Sequence, residues 1–98
     1  MKIDRTERGF ELGTWTDIGG EPCELQQSSG VDGTLSEAAF QEALRRPGSS
    51  AVWLGRPGIG NRMHLSREQV VELVNRLDAW LKTGSFLFTR ERQADGAR

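Results

Sequence analysis

Few side chains in this sequence could do covalent or acid–base chemistry. His64 is the single histidine and the only side chain whose ordinary pKa suits a general base at neutral pH. Serines and aspartates are plentiful, but none sits in a Gly-x-Ser-x-Gly elbow that would mark a nucleophile. Covalent catalysis needs a nucleophile paired with its base, and no such pairing is written here. Cys23 is the only cysteine. It alternates with Leu25 along an extended segment, and no basic neighbour in sequence would lower its pKa, so it reads as a small core residue. One Cys and one His far apart do not make a zinc site. The chain is therefore expected to be non-enzymatic, with no metal and no cofactor.

Binding chemistry is better represented. Gly55-Arg56-Pro57-Gly58-Ile59-Gly60-Asn61 is a glycine-rich stretch that could cradle an anion on backbone N–H groups, with Arg56 and Arg62 adding charge. It lacks the Gly-Lys-Ser/Thr ending of a P-loop and the strand–helix setting of a dinucleotide fingerprint, so a flexible hairpin loop is the competing reading. Trp15, Trp53 and Trp80 are three tryptophans in 98 residues. Tryptophan is rarely fully buried and is favoured at interfaces.

Composition bounds these choices. The length suits one domain, and 36% hydrophobic with 28% charged residues is globular rather than disordered. A net charge of −1 argues against a general nucleic-acid binder and against an acidic DNA mimic. A lone thiol cannot form an internal disulfide, which suits a reducing cytoplasm. MKIDRTERGF carries no apolar run, so no signal peptide is expected, and no stretch is long and apolar enough to span a membrane.

The elements that must position these groups follow from periodicity. Residues 1–8 alternate charges and read as a frayed lead-in. Phe10 and Leu12 alternate with Glu11 and Gly13 ahead of Thr14-Trp15-Thr16, which predicts a strand over 9–16. Asp17-Ile18-Gly19-Gly20 is turn chemistry, and Cys23, Leu25 and Gln27 predict a second strand over 22–28, completing a hairpin. Thr34 with Glu37 matches a capping box, and the apolar spacing predicts a short helix over 35–46, stopped by Pro47-Gly48. Ala51-Val52-Trp53-Leu54 and Arg62-Met63-His64-Leu65 read as short strands.

Ser66 with Gln69 is a second capping box, opening a helix over 67–83 with Gly84 just past its end. Glu72–Arg76 and Asp78–Lys82 are i,i+4 pairs assigned to its wet face. Its apolar residues spread over roughly 180° of the wheel, against the approximately 100° a simple surface helix needs. One sheet face covers the centre; the edges call for the short helix, the Phe86–Phe88 segment or another protein chain. That segment could be a last strand or a docked hook.

The expectation is a single α+β domain over 1–92 with a disordered tail over 93–98. An antiparallel sheet of four to five short strands carries one long C-terminal helix on one face, with a short inserted helix. The second sheet face should show Gln26, Trp53, Arg62 and His64. With Arg56, these are the candidate residues for a partner or ligand.

The order Cys23-Glu-Leu-Gln-Gln-Ser-Ser29, Trp53-Leu-Gly55 and Arg62-Met-His-Leu65, after an opening Arg5-Thr-Glu-Arg-Gly-Phe10, resembles a family of small proteins encoded by bacteriophages and prophages. The sequence departs from that pattern between Gly30 and Ser50, where it carries a capped helix in place of a shorter loop, and it extends past Gly84. The resemblance implies a phage or mobile-element origin and brings no assigned activity and no catalytic residues.

Two binding functions follow as expectations. One is a phage-encoded interaction protein in the host cytoplasm that inhibits a host defence system, in the manner of an anti-CRISPR protein, with a host protein or a second copy (a homodimer) as partner. The alternative is a protein that sequesters a small anionic ligand or nucleotide on the glycine-rich loop and its arginines.

Overall fold

The computed structural model describes residues 1–47, 51–58 and 62–96. Its elements run β1 (Lys2–Arg5), β2 (Glu11–Thr16), β3 (Pro22–Ser28), α1 (Glu37–Arg45), β4 (Ala51–Gly55), α2 (Arg67–Thr83) and α3 (Thr89–Gly96). The strands form one antiparallel sheet in the order β1-β2-β3-β4, and with the helices they make an α+β fold.

The long helix follows its local signals. Ser66 accepts a hydrogen bond from the Gln69 N–H at 3.1 Å, and the Gln69 side chain accepts from the Ser66 N–H at 3.0 Å. The same Gln69 donates through Nε2 to the Thr16 carbonyl at 2.7 Å, so the cap also ties α2 to the end of β2. At the other end Gly84 adopts a left-handed conformation, φ +80°, and a Cβ there would collide with the Pro47 backbone. Glycine thus both ends α2 and admits Pro47, in the chain just past α1.

The core lies between α2 and one sheet face. Leu25, Leu73 and Phe86 are its buried centre, with Met1, Ile3, Trp15, Val52, Leu65, Leu77 and Trp80 packed around them. Residues 86–88 dock as a hook, and the Phe86 ring lies 6.5 Å from that of Trp80. This hook covers one edge of the α2 stripe. The other edge stays open: Val70, Val71, Val74 and Leu81 are exposed.

Several expectations change. The lead-in is partly a strand, β1, whose Ile3 pairs with Gly13. Segment 62–65 is not a strand. It crosses the turn that joins β2 to β3, where the His64 N–H donates to Asp17 Oδ2 at 3.1 Å and its carbonyl accepts from the Ile18 N–H at 3.1 Å. It therefore meets the end of the sheet, not a free edge. Ser36 caps α1, not Thr34, which instead bonds Asp32 in a local turn. The α3 helix runs through residues 93–96, placed in the tail by sequence; residues 97–98 lie outside the described residues.

The Asp78–Lys82 pair is exposed as expected, but Arg76 is buried, only 4% exposed. Its guanidinium donates to the Phe86 carbonyl at 3.1 Å, pairs in bidentate fashion with Glu91, and lies 4.0 Å from the centre of the Phe88 ring. The Arg76 hydrogen bond holds the Glu91 carboxyl below its ordinary range. Glu72 sits 3.9 Å from the same guanidinium and is half-buried.

Candidate functional site

The two sheet faces are chemically unlike. On the covered face β3 presents Cys23, Leu25 and Gln27, all buried, opposite Trp15, Gly13 and Glu11 of β2. Glu11 is a buried carboxylate that holds the hook. It accepts from the Phe86 N–H at 2.7 Å and from the Ser85 hydroxyl at 2.8 Å. Gln27 joins the same clamp, accepting from the Glu11 N–H at 2.8 Å and donating to the Gly84 carbonyl at 2.9 Å. Every polar group in this set has a partner, which is the condition for burying it. Burial pushes the Cys23 thiol pKa up, so the cysteine is protonated and enclosed.

The opposite face carries Leu12, Thr14, Glu24, Gln26 and Trp53, by alternation from the covered residues and by the pairing of Gln26 with Trp53. Trp53 is 68% exposed. An indole that open on a sheet face is a large apolar area left in water.

Two grooves meet at Trp53 and share Gln26. The larger, about 600 Å³, runs between the turn at Thr6–Phe10 and the stretch from Gln26 to Gly30. The smaller, about 260 Å³, runs from Glu24 past Leu54 to Arg56 and Pro57. Local bonding sets the first wall. The Thr6 N–H donates to the Phe10 carbonyl at 2.8 Å, the Phe10 N–H donates back to Thr6 Oγ1 at 3.1 Å, and the Arg8 guanidinium lies 5.2 Å from the centre of the Phe10 ring. At the far end Arg56 pairs with Glu21 at 2.9 Å.

Of the residues singled out by sequence, Gln26, Trp53 and Arg56 therefore share one continuous surface. Arg62 and His64 line neither groove. They lie on the segment against the Asp17 turn, because 62–65 is not the neighbouring strand that would have brought them to Trp53. Residues 59–61 of the glycine-rich loop lie outside the described residues. Arg8, Phe10 and Ser28 line the larger groove and were not singled out. Phe10 was visible as an aromatic at the start of β2; only the hairpin geometry puts Arg8 against it.

Asp17 organises the neighbouring turn. Its carboxylate accepts from the backbone N–H groups of His64, Glu21 and Gly19, and these bonds hold its pKa below the ordinary aspartate range. Among the described residues no three His, Cys, Asp or Glu side chains gather closely enough to hold a metal ion, and no helix is long and apolar enough to cross a membrane.

No protein-family model, no curated protein and no solved structure matches this chain.

Proposed function

We propose that this protein is a non-catalytic binding protein that holds a segment of a partner protein in the double groove around Trp53. The exposed indole at the junction of the two grooves carries this reading. Tryptophan in such a position supplies apolar contact area at low entropic cost and is enriched among the residues that dominate interface energies. The pairing of Trp53 with Gln26 puts an amide donor and acceptor beside the indole, and Arg8 and Glu24 give the groove both signs of charge. That mix suits an extended peptide with an apolar side chain for Trp53 and a main chain for the amide.

The geometry adds one support. Three of the four segments that carry the phage-family resemblance, Arg5–Phe10, Cys23–Ser29 and Trp53–Gly55, contribute residues to this surface, and the fourth, Arg62–Leu65, lies against the Asp17 turn instead. On that resemblance the partner is a host factor, a defence component of the kind anti-CRISPR proteins engage, and the site of action is the host cytoplasm. The anion-sequestering alternative is less well supported: Arg56 already pairs with Glu21, and Arg62 lies away from the groove.

Capture from host lysate by the wild type and by Trp53→Ala, followed by mass spectrometry of retained proteins and released small molecules, tests the proposal. The expected result is a protein retained by the wild type and lost with Trp53→Ala, a weakening of about 2 kcal/mol or more for a central tryptophan. A nucleotide released without any protein, or a protein retained equally by the variant, would overturn it.

A further inference from the structure

The uncovered edge of α2 has a pattern of its own, separate from the Trp53 groove. Arg67, Val71, Val74, Asp78 and Leu81 recur at alternating spacings of four and three residues, the repeat of a coiled-coil seam. At about 100° per residue they form one ridge, turned well away from the Leu73–Trp80 line that meets the sheet. All five are exposed, and the apolar ones strongly so: Val71 54%, Val74 57% and Leu81 74%. Exposing three aliphatic side chains in one row has a cost that no neighbour among the described residues relieves.

The charges on the ridge say what covers it. When two such helices lie antiparallel about a two-fold axis, the register that sets Val71 of one copy beside Val74 of the other also sets Arg67 beside Asp78. By symmetry each contact occurs twice. One register thus pairs apolar with apolar at the centre and cation with anion at both ends. The intrahelical Asp78–Lys82 pair is exposed and weak, so Asp78 can be shared across the axis. A ridge complementary to itself in both shape and charge fits a second copy of this chain. Val70, flanking the ridge on the sheet side and also exposed, extends the apolar contact.

We infer that the protein forms a two-fold dimer through the outer ridge of α2, with Val71 and Val74 at its centre and Arg67–Asp78 pairs across the axis. The Trp53 groove lies on the opposite side of the sheet from α2, so each copy keeps its groove open and the dimer is bivalent.

Sedimentation velocity across micromolar concentrations tests this on four proteins: the wild type, Val74→Glu, Arg67→Asp, and Arg67→Asp combined with Asp78→Arg. The wild type is expected at twice the chain mass. Val74→Glu is expected to be monomeric with unchanged circular dichroism, since the position is exposed and any loss of folding would show there. Arg67→Asp is expected to weaken association by about tenfold or more, and the double charge swap to restore it. A wild-type mass of 10.9 kDa throughout would overturn the inference. So would a dimer indifferent to Val74→Glu, and so would a double swap no tighter than the single one.

Discussion

The covered and open faces of the sheet each invert the usual placement of residue types, in opposite ways. On the covered face the informative residues are polar and buried. Glu11 and Gln27 stand where hydrophobic side chains would be expected, and each is fully engaged in holding residues 84–86. On the open face the informative residue is apolar and exposed: Trp53, with Leu12 half-buried nearby. A satisfied buried polar group explains itself through the structure it holds. The exposed indole between two grooves has no such internal explanation among the described residues, and it is the observation on which the proposed binding rests.

That contrast is easiest to break at the hook. Phe86 is wholly buried at the centre of the core, so Phe86→Ala should cost about 3–5 kcal/mol in chemical denaturation. A loss below about 1 kcal/mol would mean the hook is dispensable and the covered face is not where stability resides.

Glu11→Ala comes next. It leaves the buried Phe86 N–H without its acceptor and should cost about 1–3 kcal/mol. Restoring a carbonyl acceptor with Glu11→Gln should recover part of that loss, because the Phe86 bond needs an oxygen, not a charge. Equal losses in the two variants would show that the charge, through Arg5 at 3.8 Å, is what matters.

A smaller effect belongs to Asp17, whose folded pKa is lowered by bonds from the His64, Glu21 and Gly19 N–H groups. A lowered folded pKa means the carboxylate contributes stability that is fully present above its unfolded value, about 3.9, and is lost as pH falls through the lowered value. Thermal melts on acidification should therefore show a steeper loss in the wild type than in Asp17→Asn. Parallel acid limbs would remove Asp17 from the account.

The smallest stability effect should come from the open face. Trp53→Ala removes a side chain that is mostly in water already and should change stability by less than about 1 kcal/mol. A loss matching that of Phe86→Ala would place Trp53 in the core and erase the distinction between the faces.

Much of this was legible in the sequence where the signals are local. The α2 helix carries its own start in Ser66 and Gln69 and its own stop in Gly84, and it forms between those limits. The β2–β3 hairpin follows from its alternation and its Asp-Ile-Gly-Gly turn. The facing of β2 was harder to read. Alternation grouped Phe10 with Leu12 against Glu11 with Gly13, and the natural inference puts the apolar pair inside. The structure buries Glu11 and Gly13 instead, because the partners of Glu11, Ser85 and Phe86, lie 74 and 75 residues away. No local pattern announces such a bond.

The same holds for Arg76, whose i,i+4 spacing from Glu72 suggested a solvated pair until residues 86–91 closed over it. Strand β1 was hidden by its charges: Lys2, Asp4 and Arg5 read as solvated, yet charged residues are what an edge strand uses to discourage further pairing. In the candidate site, residue type pointed to Gln26, Trp53 and Arg56, whereas Arg62 and His64 depended on a strand that does not form.

The central claim is that the open face, not the helical side, recognises the partner protein. Photocrosslinking tests it most directly, with a benzoylphenylalanine in place of Trp53 or Gln26 and, as a control on the helical side, in place of Glu42, which is exposed on α1. The account predicts a covalent adduct with the captured partner from positions 53 and 26 and none from position 42. Adducts from position 42 alone would contradict it.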